Sequence, residues 1–329
     1  MNNLRDLRTG VIGVGSMGIN HARIYKEISN LKGIFDLNSK LSSEVSEKFG
    51  VKNFATIDEM LLAVDAVTIA VPTILHEEVA LKVIKSGTHL LIEKPLSNSV
   101  EAAEKILIEA EKESVVLAVG HIERYNPVVE YAKNELSQNK WGKVINLSSR
   151  RVSPYPVRIS DVGVIFDIGI HDIDVISYLC EGKVESLYTS GGSSFSDNED
   201  SANIIMNFSS GAVGICEVSW LTPMKIRKMA VTCTNNFAEL DFISQSVTLF
   251  QANFDNVDKN NLFNPSINFN SNSVQITKSE PLKIEIIDFL SSILLNKIPL
   301  VTGLEAINNI RLAEASLESL KTNKVLNLV

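Results

Sequence analysis

Along the first third of the chain, apolar residues gather in short continuous runs. These are separated by longer stretches in which apolar positions recur every third or fourth residue. The runs at 9–14, 31–36, 66–71, 89–92 and 115–120 read as strands, and the stretches at 17–28, 40–49, 57–63, 76–86 and 100–113 as helices. In the last helix Ala103, Ile106, Leu107 and Ala110 share one face. Strands apolar throughout are those covered on both sides, and their alternation with helices predicts βαβ crossovers in a parallel, doubly wound sheet. From about residue 144 the pattern changes. A helical segment at 167–179 precedes a series of strands: Ile204, Met206 and Phe208 alternate with polar residues, Ser209-Ser210-Gly211 turns the chain, and runs follow at 212–220, 228–234, 238–242 and 247–251. Strands in succession predict an antiparallel meander. The asparagine-rich stretch 253–273 reads as a long loop, and helices at 282–296 and 304–321 close the chain.

The expected class is therefore α/β, with a doubly wound parallel domain over 1–121 and an α+β domain with an open, mainly antiparallel sheet over 122–329. A length of 329 residues suits two domains, and 45% hydrophobic against 21% charged residues supplies an ordinary core. An open sheet needs a cover on its second face, which predicts a homodimer or homotetramer. The balance of 31 Lys+Arg against 39 Asp+Glu, net −8, argues against nucleic acid or a membrane surface as partner. It leaves room for an anionic small molecule held by local arginines. Cys180, Cys216 and Cys233 form no CxxC pair, so free buried thiols are expected rather than disulfides or a zinc site. The polar first ten residues are unlike a secretory signal. The most apolar stretch, 284–301, is broken by Glu285, Asp288, Lys297 and Pro299, unlike a membrane span. A cytoplasmic location is expected.

Gly13-Val14-Gly15-Ser16-Met17-Gly18 fits G-x-G-x-x-G directly after a strand and at the start of a helix. Gly13 permits the tight turn, Gly15 lets the backbone approach a pyrophosphate, and Gly18 lets the helix pack on the strand; Ser16 and Met17 open the helix N-terminus toward the phosphates. Asp36 ends the next strand, where a carboxylate accepts from both adenine-ribose hydroxyls and repels a 2′-phosphate. That favours NAD, although Asn38, Ser39 and Lys40 lie close enough to soften the preference and admit NADP. Pro72, at the end of the strand 66–71, and His76 just beyond it are further candidate cofactor contacts. His76-Glu77 is half of a zinc-binding HExxH, but Ala80 stands where the second histidine belongs, so no metal is expected.

Two further groups carry chemistry. Glu93-Lys94-Pro95 follows the strand 89–92, at the sheet edge where a nicotinamide should lie; the Lys94 ammonium there would stabilise an alkoxide as hydride leaves. Asp167-Ile168-Gly169-Ile170-His171-Asp172-Ile173-Asp174 opens the helix of the second domain. Asp167 and His171 are four apart and share a helical face, with the imidazole as natural base for a hydroxyl proton and Asp167 to orient substrate or imidazole. With the glycine fingerprint, these groups resemble the glucose-fructose oxidoreductase / inositol dehydrogenase (Gfo/Idh/MocA) family over essentially the whole chain. The resemblance implies a Rossmann domain, Lys94 and His171 as acid/base pair, Asp167 as substrate-orienting carboxylate, Glu93 and Pro95 at the nicotinamide, and a structural role for Asp174.

The segment 120–127 leaves the last Rossmann strand toward the second domain, making Arg124, Tyr125 and Asn126 candidate substrate contacts. Arg150, Arg151 and Arg158, just before Asp167, form a cluster suited to phosphate. These segments resemble the family branch that oxidises nucleotide sugars, which implies hydride removal from a secondary hydroxyl, such as the 3-hydroxyl of UDP-N-acetylglucosamine. The alternatives are an inositol or free-sugar dehydrogenase, a glycoside hydrolase or lyase that retains NAD and oxidises C3 transiently, and a non-catalytic NAD-responsive protein.

Overall fold

The continuous apolar runs become the strands of the first unit: β1 (Arg8–Ile12), β2 (Asn30–Phe35), β3 (Lys52–Asn53), β4 (Ala66–Ile69), β5 (His89–Glu93) and β6 (Leu117–Gly120). All pair in parallel, in the order β3-β2-β1-β4-β5-β6. The connecting helices are α1 (Gly18–Ile28), α2 (Ser39–Phe49), α3 (Ile57–Leu61), α4 (His76–Lys85) and α5 (Val100–Lys112). Local signals set their ends. Asn38 caps α2 by accepting from the Leu41 N–H at 3.1 Å, and Gly50 stops that helix in the left-handed region at φ +60°. The two-residue β3 is polar and gave no hydrophobic signal. Strand order reverses between β1 and β4, so the carboxyl ends of the strands flank a crevice there, the ligand position of such sheets. The computed structural model describes residues 3–156, 162–253 and 268–328.

The second unit begins with α6 (Pro127–Ser137), capped by Asn126 and started by proline at its first turn. Its nine-stranded sheet comprises β7 (Val144–Val152), β8 (Val184–Gly192), β9 (Ser201–Phe208), β10 (Val213–Ser219), β11 (Ile226–Cys233), β12 (Phe237–Asp241), β13 (Ser246–Asn253), β14 (Asn268–Val274) and β15 (Leu326–Asn327). The order is β14-β13-β12-β11-β7-β10-β9-β8-β15, antiparallel except for the β7–β10 pair. That parallel pair departs from a simple meander. So does β14, whose pairing with β13 claims residues 268–273 of the stretch read as loop; residues 254–267 lie outside the described part. The helix expected at 167–179 is a π-helical turn, Ile165–Gly169, followed by α7 (Ile170–Leu179). Val128 and Ala132 of α6, Ile173 and Ile176 of α7, and Leu147, Ile204, Cys216 and Val231 of the sheet share one buried core.

The last two helices are α8 (Pro281–Leu295) and α9 (Gly303–Thr322). Leu282, Ile286, Phe289 and Leu290 of α8 enter the core that holds Ile24, Ile34 and Leu91. The first unit is accordingly Met1–Ile122 with Glu280–Arg311, and the second Glu123–Ser279 with Leu312–Val329. A single cut at 121 misses this return. The apolar stripe of α8 says that the helix is buried but not against which sheet.

Candidate active site

The expected cofactor residues lie on the first unit. Gly13 holds φ +85°, and a Cβ there would sit 2.6 Å from the Ala70 carbonyl oxygen; one on Gly18 would sit 1.9 Å from the Gly13 oxygen. A Cβ on Gly15 would meet nothing within 4 Å. Two glycines are thus demanded by packing, while the third, with exposed Ser16 and Met17, keeps an open backbone surface at the start of α1. The Asp36 carboxylate is fixed beside this turn, accepting from the Val14 N–H at 2.7 Å and the Asn38 N–H at 2.8 Å. Its remaining lone pairs are available to ribose hydroxyls. The open backbone of Gly15, Ser16 and Met17 and the fixed Asp36 carboxylate fit the needs of a dinucleotide's pyrophosphate and ribose.

Pro72 is exposed after β4, but His76 is not a surface contact. Its ring is buried, with Nδ1 2.9 Å from the Pro95 carbonyl oxygen and Nε2 3.0 Å from that of Val71. Burial pushes its pKa down, against both carbonyls. His76 therefore ties the loop after β4 to the loop after β5, with both ring nitrogens turned to backbone carbonyls.

At the end of β5, Glu93 turns inward. Its Oε1 lies 2.7 Å from His21 Nε2, and its Oε2 accepts from the Lys94 N–H at 3.3 Å. Behind His21, Nδ1 is 3.2 Å from Thr68 Oγ1, which is 2.8 Å from the Tyr25 hydroxyl. Burial is the largest single influence and disfavours the Glu93 charge, but the hydrogen bond and field of His21, together with the charge and N–H of Lys94, outweigh it and hold the carboxyl below its usual range. Gly120 on the neighbouring strand makes room, since a Cβ there would lie 3.1 Å from Glu93 Oε2. Glu93 is thus the anchor of the loop that carries Lys94. His21, three residues past Gly18, was missed from the sequence because a lone histidine on an apolar helix face reads as core.

Asp167 and His171 lie on the second unit. Asp167 lies in the π turn and His171 one turn on; both stay partly exposed while Gly169, Ile170, Asp172 and Asp174 are buried. π turns recur at functional sites because the widened turn re-aims side chains. Glu199 holds this one: its Oε1 accepts from the Ile165 N–H at 3.0 Å and its carbonyl from the Val164 N–H at 2.9 Å. Burial raises the Glu199 pKa. No local motif marks it, because it arrives from a distant loop.

The expected substrate arginines are placed otherwise. Arg124 is buried and donates to both Asp174 oxygens, at 3.0 and 2.7 Å, so it and its partner act structurally. Tyr125 is buried, and Asn126 caps α6. Arg151, also buried, binds Glu123 at 2.7 Å and Asp172 at 2.8 Å. Arg150 points to the other face and pairs with Glu217 at 3.0 Å. Arg158 lies outside the described residues. Arg150 and Arg151 therefore do not stand together as the cluster read from sequence.

Comparison with known proteins adds context. Residues 7–121 match the oxidoreductase family with an NAD-binding Rossmann fold, and residues 129–239 match the GFO/IDH/MocA C-terminal domain. UDP-N-acetylglucosamine 3-dehydrogenase of Acidithiobacillus ferrooxidans is 33% identical over 87% of this chain and 88% of its own. A solved structure of that enzyme superimposes with TM-score 0.88 at 30% identity, covering 96% of this chain and 98% of the other. Myo-inositol 2-dehydrogenase of Thermotoga maritima is 31% identical over 65% of this chain and 68% of its own.

Proposed function

The chain belongs to the Gfo/Idh/MocA family of NAD-binding oxidoreductases, and from that premise we propose that it dehydrogenates a secondary hydroxyl of a sugar, the 3-hydroxyl of a nucleotide sugar such as UDP-N-acetylglucosamine. The observation that carries this reading is the likeness to UDP-N-acetylglucosamine 3-dehydrogenase, which extends over most of the chain. Myo-inositol 2-dehydrogenase is a more distant match over a shorter span.

Bound NAD supplies the hydride acceptor. Gly15, Ser16 and Met17 hold its pyrophosphate, and Asp36 its ribose. Lys94, on the loop anchored by Glu93, offers an ammonium that lowers the pKa of the substrate hydroxyl and stabilises the oxyanion. His171 accepts the hydroxyl proton, and Asp167 orients the hydroxyl toward it. We further propose a homo-oligomer that covers the open side of the second sheet, where Ile205 and Ile215 face each other on adjacent strands; a strict monomer in sedimentation would refute this.

The deciding experiment follows NADH absorbance on mixing the protein with NAD and UDP-N-acetylglucosamine, myo-inositol or a free hexose. NADH with the nucleotide sugar, and a 3-keto product by mass spectrometry, is the expected result. NADH only with inositol or hexose would overturn the substrate assignment. Consumption of substrate without NADH would mean that the cofactor is recycled within each turnover, as in the hydrolase or lyase alternative.

A further inference from the structure

The separation of Arg150 from Arg151 leaves open which cations stand near Asp167. Antiparallel pairing sets Arg227 of β11 directly opposite Arg151 of β7. Ser149 pairs with Met229 and Leu147 with Val231, all four buried, so by strand alternation both guanidiniums lie on the helix-covered face of the sheet. Like charges set opposite one another repel unless an anion lies between them. Glu123 is that anion, but it is shared unequally: its Oε1 is 2.7 Å from Arg151 and 3.4 Å from Arg227. Arg151 has Asp172 as well.

Arg227 has five N–H donors. Among the described residues their only hydrogen-bonded side-chain acceptor is that one Glu123 oxygen, and 33% of the Arg227 side chain is open to solvent. Burial and the field of Arg151 push its pKa down, while Glu123, Asp172 and Asp167 act in the opposite sense. Lys225 is exposed just before β11 and makes no ion pair with a described residue. It is pushed down by Arg227 first and by burial second. The two cations, two positions apart in the chain, thus stand close together, under-neutralised and partly open, with Arg227 also within the electrostatic reach of Asp167. An anion placed between them would relieve both.

We infer that Lys225 and Arg227 form a phosphoryl-binding subsite at the start of β11, which takes the phosphate or diphosphate oxygens of a phosphorylated sugar. The guanidinium offers a planar, bidentate donor pair and the ammonium a mobile point charge, the complementary ways of holding phosphate oxygens. The inference rests on the dehydrogenase reading above and adds to it the group by which the substrate is recognised. The same chemistry serves the diphosphate of a nucleotide sugar and the monophosphate of a sugar phosphate.

Steady-state kinetics with NAD and either UDP-N-acetylglucosamine or glucose 6-phosphate separates these two. A charge-assisted hydrogen bond of about 1.5–3 kcal/mol corresponds to roughly 10- to 100-fold in binding. Arg227→Gln should therefore raise KM for the phosphorylated substrate by about that factor, and Lys225→Gln by roughly tenfold, with kcat little changed and Arg227→Lys partly restoring KM. Whichever substrate shows these losses identifies the phosphate source. Lys225 is exposed, so its variant carries the test if Arg227→Gln does not fold by circular dichroism. Unchanged KM in a folded Lys225→Gln protein overturns the subsite. If the wild type oxidises neither substrate, the dehydrogenase reading fails separately. The subsite is then judged by calorimetry with pyrophosphate on NAD-saturated protein. Binding weakened in both variants upholds it; no binding, or equal binding throughout, overturns it.

Discussion

Glu285 of α8 offers a sharp test of the packing within the first unit. Its carboxyl is fully buried, and neither oxygen has a hydrogen-bond partner among the described residues. Burial raises its pKa well above the usual carboxylate range, and the charges of Glu93 and Asp288 push the same way. Tyr25, on the facing helix α1, is raised in turn, chiefly by its own burial, with a smaller contribution from Glu285. The native protein therefore keeps a proton on Glu285 that the unfolded chain releases above a pKa of about 4.3. Above that pH the unfolded state binds fewer protons, so stability falls as pH rises, by about 1.4 kcal/mol per unit, until the native pKa is reached. Glu285→Gln removes this slope. Between the unfolded and native pKa values the variant should gain on the wild type by about 1.4 kcal/mol per pH unit, while the contributions of groups common to both cancel. Urea unfolding followed by far-UV circular dichroism measures the difference. Fluorescence of Trp141 and Trp220 reports the second unit alone, since both lie there, and tells whether the gain is confined to the first. Glu93→Gln in the protein that keeps Glu285 should narrow the window, because it removes a charge that keeps Glu285 protonated. Parallel stability curves for wild type and Glu285→Gln from pH 5 to 8 would refute the reasoning.

Lys94→Ala and His171→Ala should each lower kcat/KM by about 10²- to 10⁴-fold while leaving NAD affinity in place, as expected of proton-transfer groups; fluorescence titration with NADH separates the two effects. His21→Ala should slow turnover and destabilise the first unit by about 1.5–3 kcal/mol, since it strips a buried carboxylate of its charge-assisted hydrogen bond; an unchanged urea midpoint would show that Glu93 needs no such partner. Asp36→Ala should weaken NAD and raise the relative use of NADP, read as a ratio of kcat/KM values, whereas a wild type that already prefers NADP would contradict its role. Glu123→Ala leaves Arg151 buried with one partner fewer and should destabilise the second unit by about 3–5 kcal/mol in tryptophan-monitored unfolding.

Hydrophobic periodicity was enough to place β1, β2, β4, β5 and β6 and the helices between them, because each buries an apolar face whose period is a local property of the chain. The G-x-G-x-x-G turn and Asp36 were legible for a similar reason: the backbone conformation and spacing needed for a dinucleotide are written in a few neighbouring residues. Lys94, Asp167 and His171 could be named from short motifs. Other features depend on contacts between residues far apart in the chain. The grip of His21 on Glu93 joins residues on α1 and β5. The π turn under Asp167 is held by Glu199, more than thirty positions away. The removal of Arg151 into a salt bridge, and the facing of Arg227 against it, follow from strand register, which no single segment encodes. Sequence by itself thus determined the elements and the chemical types available. Tertiary structure decided which charges were spent on one another and which stayed open, because an ion's partner is set by proximity in space and by the cost of leaving it unpaired once buried.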